Sequence, residues 1–296
     1  MIKTNCFLDL PSGIDENTEF IIIGIPIDGE MTQQRGKCVT APEVVRKISL
    51  DLSLTSEDGT DLNTLHMVDL NDVPKDTTIE KLTQKVSQLL NIVPQAIPIF
   101  IGGSHIVSNH IVQALLRRKE IQNLHYISLD AHLDCYDNWN GNKNTHCTVT
   151  RRIYETLESK PSQVYVIGAR DIDLPELEWV KNVGFNFLRM IDIVENRDMK
   201  LEAIFSERKG IKPPVYLSVD IDVFDPSVAP ATGYAIPGGI SYREYLLILN
   251  KIAKHFTIIG VDFVEYSPEL DLPNKMTAFL IAKLIIETAN MIKKNR

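Results

Sequence analysis

The stretch His125-Tyr-Ile-Ser-Leu-Asp130-Ala-His132-Leu-Asp134 joins a short apolar run to three polar side chains. Residues 125–129 predict a buried β-strand, because they form a mainly apolar segment of strand length. Asp130, His132 and Asp134 occupy alternate positions, so they point to one face if the strand continues through them. Oxygen and imidazole groups that converge in this way suit a divalent metal such as Mn²⁺. The alternative is a solvated turn with a chance histidine.

Short apolar runs of this kind alternate with longer amphipathic stretches, which predicts an α/β fold. Strands are expected at residues 20–25, 66–70, 97–101, 125–129, 163–167, 185–189, 215–221 and 257–261. Helices are expected from residue 41 onward and near residues 78–92, 106–119, 148–158, 175–182, 199–208, 242–254 and 275–292. The alternation predicts a three-layer α/β/α sandwich with a central, mainly parallel sheet of about eight strands. No repeat or Gly/Ser linker divides residues 1–296, so we expect a single domain.

Composition narrows the classes of function. The 296 residues are 44% hydrophobic and carry a net charge of −8. Such a charge argues against nucleic acid or an anionic membrane as a partner and is compatible with a cationic substrate. No apolar run approaches the ~20 residues that span a bilayer, and the N-terminal residues lack the pattern of a secretory signal. We expect a cytoplasmic protein with free thiols, since no pair of cysteines has metal-binding or CxxC spacing.

Two further segments place polar residues where a predicted strand ends. In Ser-Val-Asp220-Ile-Asp222 two carboxylates again alternate, and they repel each other unless a cation compensates them. In Gly-Gly-Ser104-His105 two glycines precede a predicted helix, for which Ser104 is a candidate N-cap. By itself His105 suggests a structural histidine, whereas its position at the end of a strand favours a ligand.

The three segments together contain six candidate ligands, more than one open catalytic zinc usually takes from a protein. Two divalent ions about 3.5–4 Å apart, with shared carboxylates, account for all of them. Four carboxylates balance the charge of two such ions, and a bridging hydroxide would leave the cluster slightly negative. Such a site tolerates a cationic substrate and repels a phosphate ester. The candidate ligands are His105, Asp130, His132, Asp134, Asp220 and Asp222.

Two more residues fit a hydrolytic site. His146 follows the segment of Asp134 by one loop and is suited to carrying protons, although a surface histidine is the alternative. Glu265 follows another predicted strand and can pair with a guanidinium group through two hydrogen bonds. The alternative for Glu265 is a helix-capping or surface acid.

In this order the segments resemble those of the ureohydrolase family, which contains the arginases and agmatinases. The resemblance runs from Ile23 to the C-terminal helix. It rests on Gly-Gly-x-His, Asp-Ala-His-x-Asp, Ser-x-Asp-x-Asp-x-x-Asp-Pro and the stretch Pro230-Ala-Thr-Gly-Tyr-Ala-Ile-Pro-Gly-Gly239. Ser104 and Ile106 replace the Asp and Ser that usually flank the first histidine. Neither position is a ligand, so we expect altered support of that histidine with the metal retained.

The resemblance implies two Mn²⁺ ions per subunit and a trimeric or hexameric assembly. One ion would take His105, Asp130, Asp134 and Asp220, and the other would take Asp130, His132, Asp220 and Asp222. Hydroxide would attack the guanidinium carbon of a substrate held by Glu265. Asp134 would pass the proton to the departing amine, and His146 would exchange protons with solvent.

The resemblance leaves the choice of guanidine open. The spacing from Asp134 to His146 is similar to that of agmatinases, which cleave agmatine to urea and putrescine. The segment that contains Asp173 and Glu176 looks like the arginase segment whose acids hold the α-amino group of arginine. The Asn-rich stretch around Asn140 could hold the carboxylate of arginine. Agmatine is the expected substrate, with arginine and guanidinobutyrate as alternatives.

Two other classes compete with a ureohydrolase. A single-zinc deacetylase shares the broad fold, but it has no use for a second pair of carboxylates around another metal. A non-catalytic relative that serves as a binding or assembly module would be favoured by the loss of a ligand, and all six candidates are present.

Overall fold

Eight β-strands form the centre of the computed structural model, which describes residues 6–10, 13–29, 36–74, 76–205 and 212–296. In chain order they are β1 Phe20–Gly24, β2 Met67–Asp72, β3 Ile97–Ile101, β4 His125–Leu129, β5 Val164–Ala169, β6 Asn186–Arg189, β7 Pro214–Asp220 and β8 Thr257–Val264. They build one sheet in the order β2-β1-β3-β8-β7-β4-β5-β6. Every pair of neighbours among these strands runs parallel. The predicted parallel sheet of about eight strands is confirmed.

In the described part of the chain, eight α-helices cover the two faces of the sheet. They are α1 Ala41–Ser49, α2 Ile79–Leu90, α3 Val107–Leu116, α4 Val149–Thr156, α5 Leu174–Val183, α6 Met190–Phe205, α7 Tyr242–His255 and α8 Met276–Asn295. Alternate residues of β1 belong to different cores, because successive side chains of a strand point to opposite faces. Phe20 and Ile22 pack in the core that also contains residues of α1, α6, α7 and α8. Ile21 and Ile23 pack in the core that contains residues of α2 to α5. The predicted three-layer α/β/α sandwich is therefore confirmed.

Two local predictions differ from the structure. The helix expected at residues 199–208 is the second half of α6, which begins at Met190 and is distorted at Asn196; residues 206–208 lie outside the described residues. Ser104 does not cap α3, because that helix begins three residues later, after Ile106. The backbone N–H of Ser104 instead donates to the carbonyl oxygen of Ile27. This contact ties the loop after β3 to the loop after β1.

None of the helices in the described part of the chain is long and apolar enough to cross a membrane. The four central strands β3, β8, β7 and β4 are neighbours in the sheet, although long stretches of chain separate them. Since all of them run parallel, their carboxyl ends meet at one edge, where sites form in open α/β sheets. All six candidate ligands and Glu265 lie at this edge or directly beyond it.

Candidate active site

The registers of three neighbouring strands bring the candidate residues together. Asp220, the last residue of β7, is in register with Val264, the last residue of β8, so Glu265 follows beside it. Leu129, the last residue of β4, is in register with the residue before Asp220. Asp130 therefore lies beside Asp220, although they are far apart in the sequence.

Strand β4 ends before Asp130, and Asp222 lies in a one-turn 3-10 helix after β7, so the strands do not continue through these residues. The carboxylate of Asp130 accepts the backbone N–H of His132 at 2.7 Å, and that of Asp220 accepts the backbone N–H of Asp222 at 2.9 Å. These Asx turns bend the chain out of the sheet at its carboxyl edge. Asp134 has a left-handed backbone with φ 51°. Its side chain lies with those of Asp130 and Asp220 around the ring of His105.

Three carboxylates surround the ring of His105. Its Nδ1 lies 3.3 Å from Asp130, 3.1 Å from Asp134 and 3.1 Å from Asp220, in each case from Oδ2. The ring is completely buried, and Nδ1 makes no hydrogen bond of ordinary geometry. A buried imidazole nitrogen amid carboxylate oxygens is a donor set that suits a divalent cation such as Mn²⁺ or Zn²⁺.

A second cluster surrounds His132 and shares Asp130 with the first. His132 Nδ1 lies 2.9 Å from Asp222 Oδ2 and 3.6 Å from Asp130 Oδ1. Asp130 thus turns one carboxylate oxygen towards each histidine. His105, Asp130 and Asp134 on one side, and Asp130, His132 and Asp222 on the other, are close enough for each set to hold one metal ion. The residues therefore fit two adjacent cations joined by a common carboxylate.

The electrostatics of the clusters also favour a compensating cation. Burial and the nearby charge of Asp130 raise the pKa of Asp134 to about 8. Burial and the charge of Asp222 likewise raise the pKa of Asp220 well above its ordinary value. Burial lowers the pKa of His132, but the carboxylate of Asp222 outweighs this effect and raises it. Carboxylates so close together are stable as anions only beside positive charge.

Glu265 is held beside the first cluster by backbone contacts. Its Oε1 accepts the backbone N–H of His105 at 2.6 Å, and its own N–H donates to the carbonyl oxygen of Gly103. A side chain at Gly103 would lie 1.9 Å from the carbonyl oxygen of Ile27, so only glycine fits this close approach. The carboxylate of Glu265 keeps lone pairs on both oxygens for a guanidinium group.

A cavity of about 150 Å³ opens above the two clusters. Half of its lining residues are Asp or Glu, and no Lys or Arg lines it among the residues that the structure describes. Of the residues predicted to act on substrate, Asp134, His146, Asp173 and Glu265 line the cavity. Asn140 does not: it lies exposed at the tip of a turn, where Trp139 and Asn142 exchange backbone hydrogen bonds.

Sequence reasoning missed the aromatic walls of this cavity, which are Tyr136, Trp139 and Tyr234. The ring centroid of Tyr234 lies 5.8 Å from that of His132 and 5.9 Å from that of His146, so its ring borders both histidines. The available signals were the two aromatic residues between Asp134 and His146 and the position of Tyr234 in the stretch 230–239. Aromatic residues in such segments are also typical of a structural loop.

The end of the cavity formed by α5 is acidic. The Tyr136 hydroxyl donates to Asp173, and the buried carboxylate of Glu176 accepts the backbone N–H of Cys135 at 2.8 Å. Burial raises the pKa of Glu176 to about 7. The nearest basic side chain in sequence, Arg170, donates to backbone carbonyl oxygens such as that of Asp222, so it braces the loops and does not line the cavity.

Comparisons with known proteins agree with this fold and site. The family model described as the Arginase family matches residues 18–290. An agmatinase of Bacillus anthracis is 31% identical over 86% of this chain and 86% of its own length. An N(1)-aminopropylagmatine ureohydrolase of Thermococcus kodakarensis is 30% identical over 97% of this chain and 95% of its own length. The crystal structure of the agmatine ureohydrolase of Thermoplasma volcanium has a TM-score of 0.79 at 28% identity, covering 94% of this chain and 91% of that one.

Fold and site together define a hydrolase with a parallel three-layer α/β/α sandwich, whose candidate site at one edge of the sheet is built from histidines and aspartates. The chain belongs to the arginase family, the ureohydrolases that the sequence motifs indicated.

Proposed function

We propose that this protein is a manganese-dependent agmatinase, which hydrolyses agmatine to urea and putrescine. The observation that carries the proposal is the pair of His/Asp clusters that share Asp130 at the floor of an acidic cavity. Such a floor accommodates two cations, and such walls accept a substrate that is itself a cation.

The ligand sets follow from the two clusters. His105, Asp130, Asp134 and Asp220 would hold one Mn²⁺, and Asp130, His132, Asp220 and Asp222 would hold the other. The distances from His105 Nδ1 to three carboxylates support the first set. The contact of His132 with Asp222 supports the second. Asp220 would belong to both sets, and its carboxylate accepts the backbone N–H of Asp222.

The chain's own residues divide the work of hydrolysis. When bound, two Mn²⁺ ions would supply hydroxide near neutral pH by lowering the pKa of bound water. Glu265 accepts hydrogen bonds from the guanidinium group and holds its carbon over the clusters. Asp134 would take the proton that the attacking hydroxide loses as urea forms and pass it to the departing amine. His146, half-buried on the cavity wall, exchanges protons between the site and solvent.

The acidic end of the cavity supports agmatine over arginine. Agmatine carries an ammonium group at the end opposite its guanidinium group, and Asp173 and Glu176 offer carboxylates there. Arginine would add an α-carboxylate, for which the described cavity walls supply no Lys or Arg. Asn140, expected to bind such a carboxylate, lies outside the cavity and has no part in this proposal. The names of two relatives, an agmatinase and an aminopropylagmatine ureohydrolase, point to amine-bearing guanidines.

Arginase is the second candidate, because the acids that line the cavity include Asp173 and Glu176 of the arginase-like segment. A single-zinc deacetylase is less favoured, since two separate clusters each contain a histidine. A homo-oligomer in the cytoplasm, as a trimer or hexamer, is part of the proposal and rests on the family alone.

The test is parallel measurement of urea release by the Mn²⁺-loaded protein from agmatine, arginine, guanidinobutyrate and aminopropylagmatine. We expect agmatine to be preferred. Asp130→Asn should abolish turnover because it removes the shared carboxylate. Asp137→Asn, on the same loop but outside both clusters, is the matched control and should keep it. Turnover of arginine alone would identify an arginase, and no urea from any substrate with two ions bound would refute the proposal.

A further inference from the structure

A buried carboxylate lies behind the candidate metal centre, on the side away from the cavity. Asp262 of β8 is completely buried, and its carboxylate accepts three hydrogen bonds. Oδ1 accepts from the Ser218 hydroxyl at 2.6 Å, and Oδ2 accepts from the hydroxyls of Ser108 and Tyr216, each at 2.6 Å. These residues do not line the cavity, and the reaction proposed above uses none of them.

The network reaches the ring of His105 through Ser218. The Ser218 hydroxyl lies 3.0 Å from His105 Nε2, and the Tyr126 hydroxyl lies 3.3 Å from the same nitrogen. A serine hydroxyl has one proton to donate. Because Ser218 gives that proton to Asp262, its oxygen can only accept from His105, so the hydrogen bond between the two side chains forms only when Nε2 carries the ring proton.

This direction of donation determines which nitrogen of His105 can bind a metal. A neutral imidazole with its proton on Nε2 presents the lone pair of Nδ1. Nδ1 is the atom that faces the carboxylates of Asp130, Asp134 and Asp220. If Asp262 were replaced by a group that donates to Ser218, the serine would donate to Nε2 and the proton would move to Nδ1.

We propose that Asp262 is a positioning residue, which acts through Ser218 to hold His105 with Nδ1 open to the first metal ion. The inference rests on the proposed metal centre and goes beyond it, since Asp262 touches neither substrate nor ion. This positioning role concerns the site of His105 only. Among the described residues, the Nε2 atom of His132 has no such buried partner and lies 3.8 Å from the exposed Asp171.

The test is a Mn²⁺ titration of the full-length chain by calorimetry after removal of bound metal. Asp262→Asn keeps the shape, but an amide has one accepting oxygen and one donating nitrogen in place of two accepting oxygens. We expect one of the two Mn²⁺ affinities to fall by about 10- to 100-fold, the range for loss of a histidine's supporting partner. The other affinity should stay unchanged.

Two further variants separate positioning from general damage. Ser218→Ala removes the link to His105 and should weaken the same single site. Tyr216→Phe is the matched control, because it removes one donor to Asp262 and leaves the Ser218 link, so its affinities should change by less than about threefold. The melting temperature of each variant checks that it folds.

A second readout is the ring N–H of His105 in the Zn²⁺-loaded, ¹⁵N-histidine-labelled chain. In the wild type it should give a slowly exchanging NMR signal from Nε2, and this signal should be lost in Ser218→Ala and Asp262→Asn. Equal Mn²⁺ affinities in wild type and Asp262→Asn, or weakening of both sites together, would overturn the positioning role of Asp262 and leave the proposed function standing. A wild type that binds no metal would overturn the proposed function as well. Two bound ions without urea release would leave the positioning role of Asp262 standing and refute only the proposed hydrolysis.

Discussion

Single residues in the cavity differ in whether they belong to the clusters. Asp134 lies in the first cluster and also lines the cavity, so a substitution there would change binding of the ion and of the substrate together. His146 lines the cavity without belonging to either cluster. A change at His146 can therefore report on proton transfer without loss of metal.

We expect His146→Asn to lower kcat by roughly 10²-fold, the lower range for loss of a general acid or base. Two Mn²⁺ ions should still bind, because the clusters are intact. His66→Asn makes the same chemical change at an exposed position with a left-handed backbone that asparagine tolerates, and it should leave kcat unchanged. Urea release under saturating agmatine measures the effect. A His146→Asn enzyme with the kcat of the wild type would remove His146 from the mechanism.

Glu176 provides a prediction about pH. Burial raises its pKa from the ordinary 4.5 to about 7 in the folded protein. Below pH 4.5 the carboxyl is protonated in both folded and unfolded chains. Between pH 4.5 and 7 the unfolded chain ionises while the folded protein retains the proton, so stability is lost as the pH rises through this window.

Glu176→Gln removes this titration and keeps an oxygen for the N–H of Cys135. Its stability relative to the wild type should therefore rise between pH 4.5 and 7, by up to about 3 kcal/mol. Urea unfolding of the metal-free proteins at several pH values measures the difference. Glu178→Gln, at an exposed position of the same helix, is the matched control. A difference in unfolding free energy between Glu176→Gln and wild type that does not vary with pH would contradict the raised pKa of Glu176.

At the scale of elements, turns and helix ends decide where the side chains point. The Asx turns at Asp130 and Asp220 end β4 and β7 at the same level of the sheet. Arg170, after β5, then joins the two loops beyond the sheet by donating to the carbonyl oxygens of Asp222 and Ile236. These local hydrogen bonds hold the clusters in place without contributing ligands.

Helix α7 has a capping box that offers a test at this scale. The Ser241 side chain accepts the N–H of Glu244, and the Glu244 carboxylate accepts the N–H of Ser241. Ser241→Ala should lower the free energy of unfolding by about 1 kcal/mol. Thr40→Ala is the control, because Thr40 precedes α1 without a side-chain capping bond and should change stability by less than about 0.5 kcal/mol. Equal losses of unfolding free energy in Ser241→Ala and Thr40→Ala, measured with denaturant, would argue against a stabilising capping box.

At the scale of the whole molecule, the sheet concentrates negative charge at one edge. Strands β4 and β7 are each followed by acids that the fold brings together, and the repulsion among these acids opposes folding unless cations bind. Cations that bind only the folded chain must then stabilise it.

We expect chelation to lower the melting temperature and added Mn²⁺ to restore it. Above the dissociation constant, each tenfold rise in free Mn²⁺ should add about 1.4 kcal/mol of stability per bound ion. Calorimetry measures this, and it also tests the prediction that residues 1–296 form one domain, which requires a single unfolding transition. A melting temperature independent of Mn²⁺ would contradict the metal centre, and two separate transitions would contradict the single domain.

Much of the fold was predictable because its signals are local. Ile97–Ile101 forms the predicted strand, since a continuous apolar run of that length suits a buried parallel strand. The first part of α6, which begins at Met190, was missed, and a non-helical backbone at Asn196 separates it from the part that was predicted. Ser104 was misassigned because a capping residue type does not by itself show where the first helical hydrogen bond forms.

The candidate ligands were recognisable because each histidine or aspartate lies at the end of an apolar run or within five residues beyond it, so the pattern is local in the sequence. The sequence by itself therefore determined the strands, most helices, and the residue types at the ends of those strands. Only the tertiary structure decided the order β3-β8-β7-β4, which brings Glu265 to His105 and places Asp262 behind it. Asp262 lies within an apolar strand and Asn140 within a polar loop, so local pattern could reveal neither position. The physical reason is that neighbouring strands are chosen by the packing of both helical layers against the sheet, and this packing depends on contacts between distant parts of the chain.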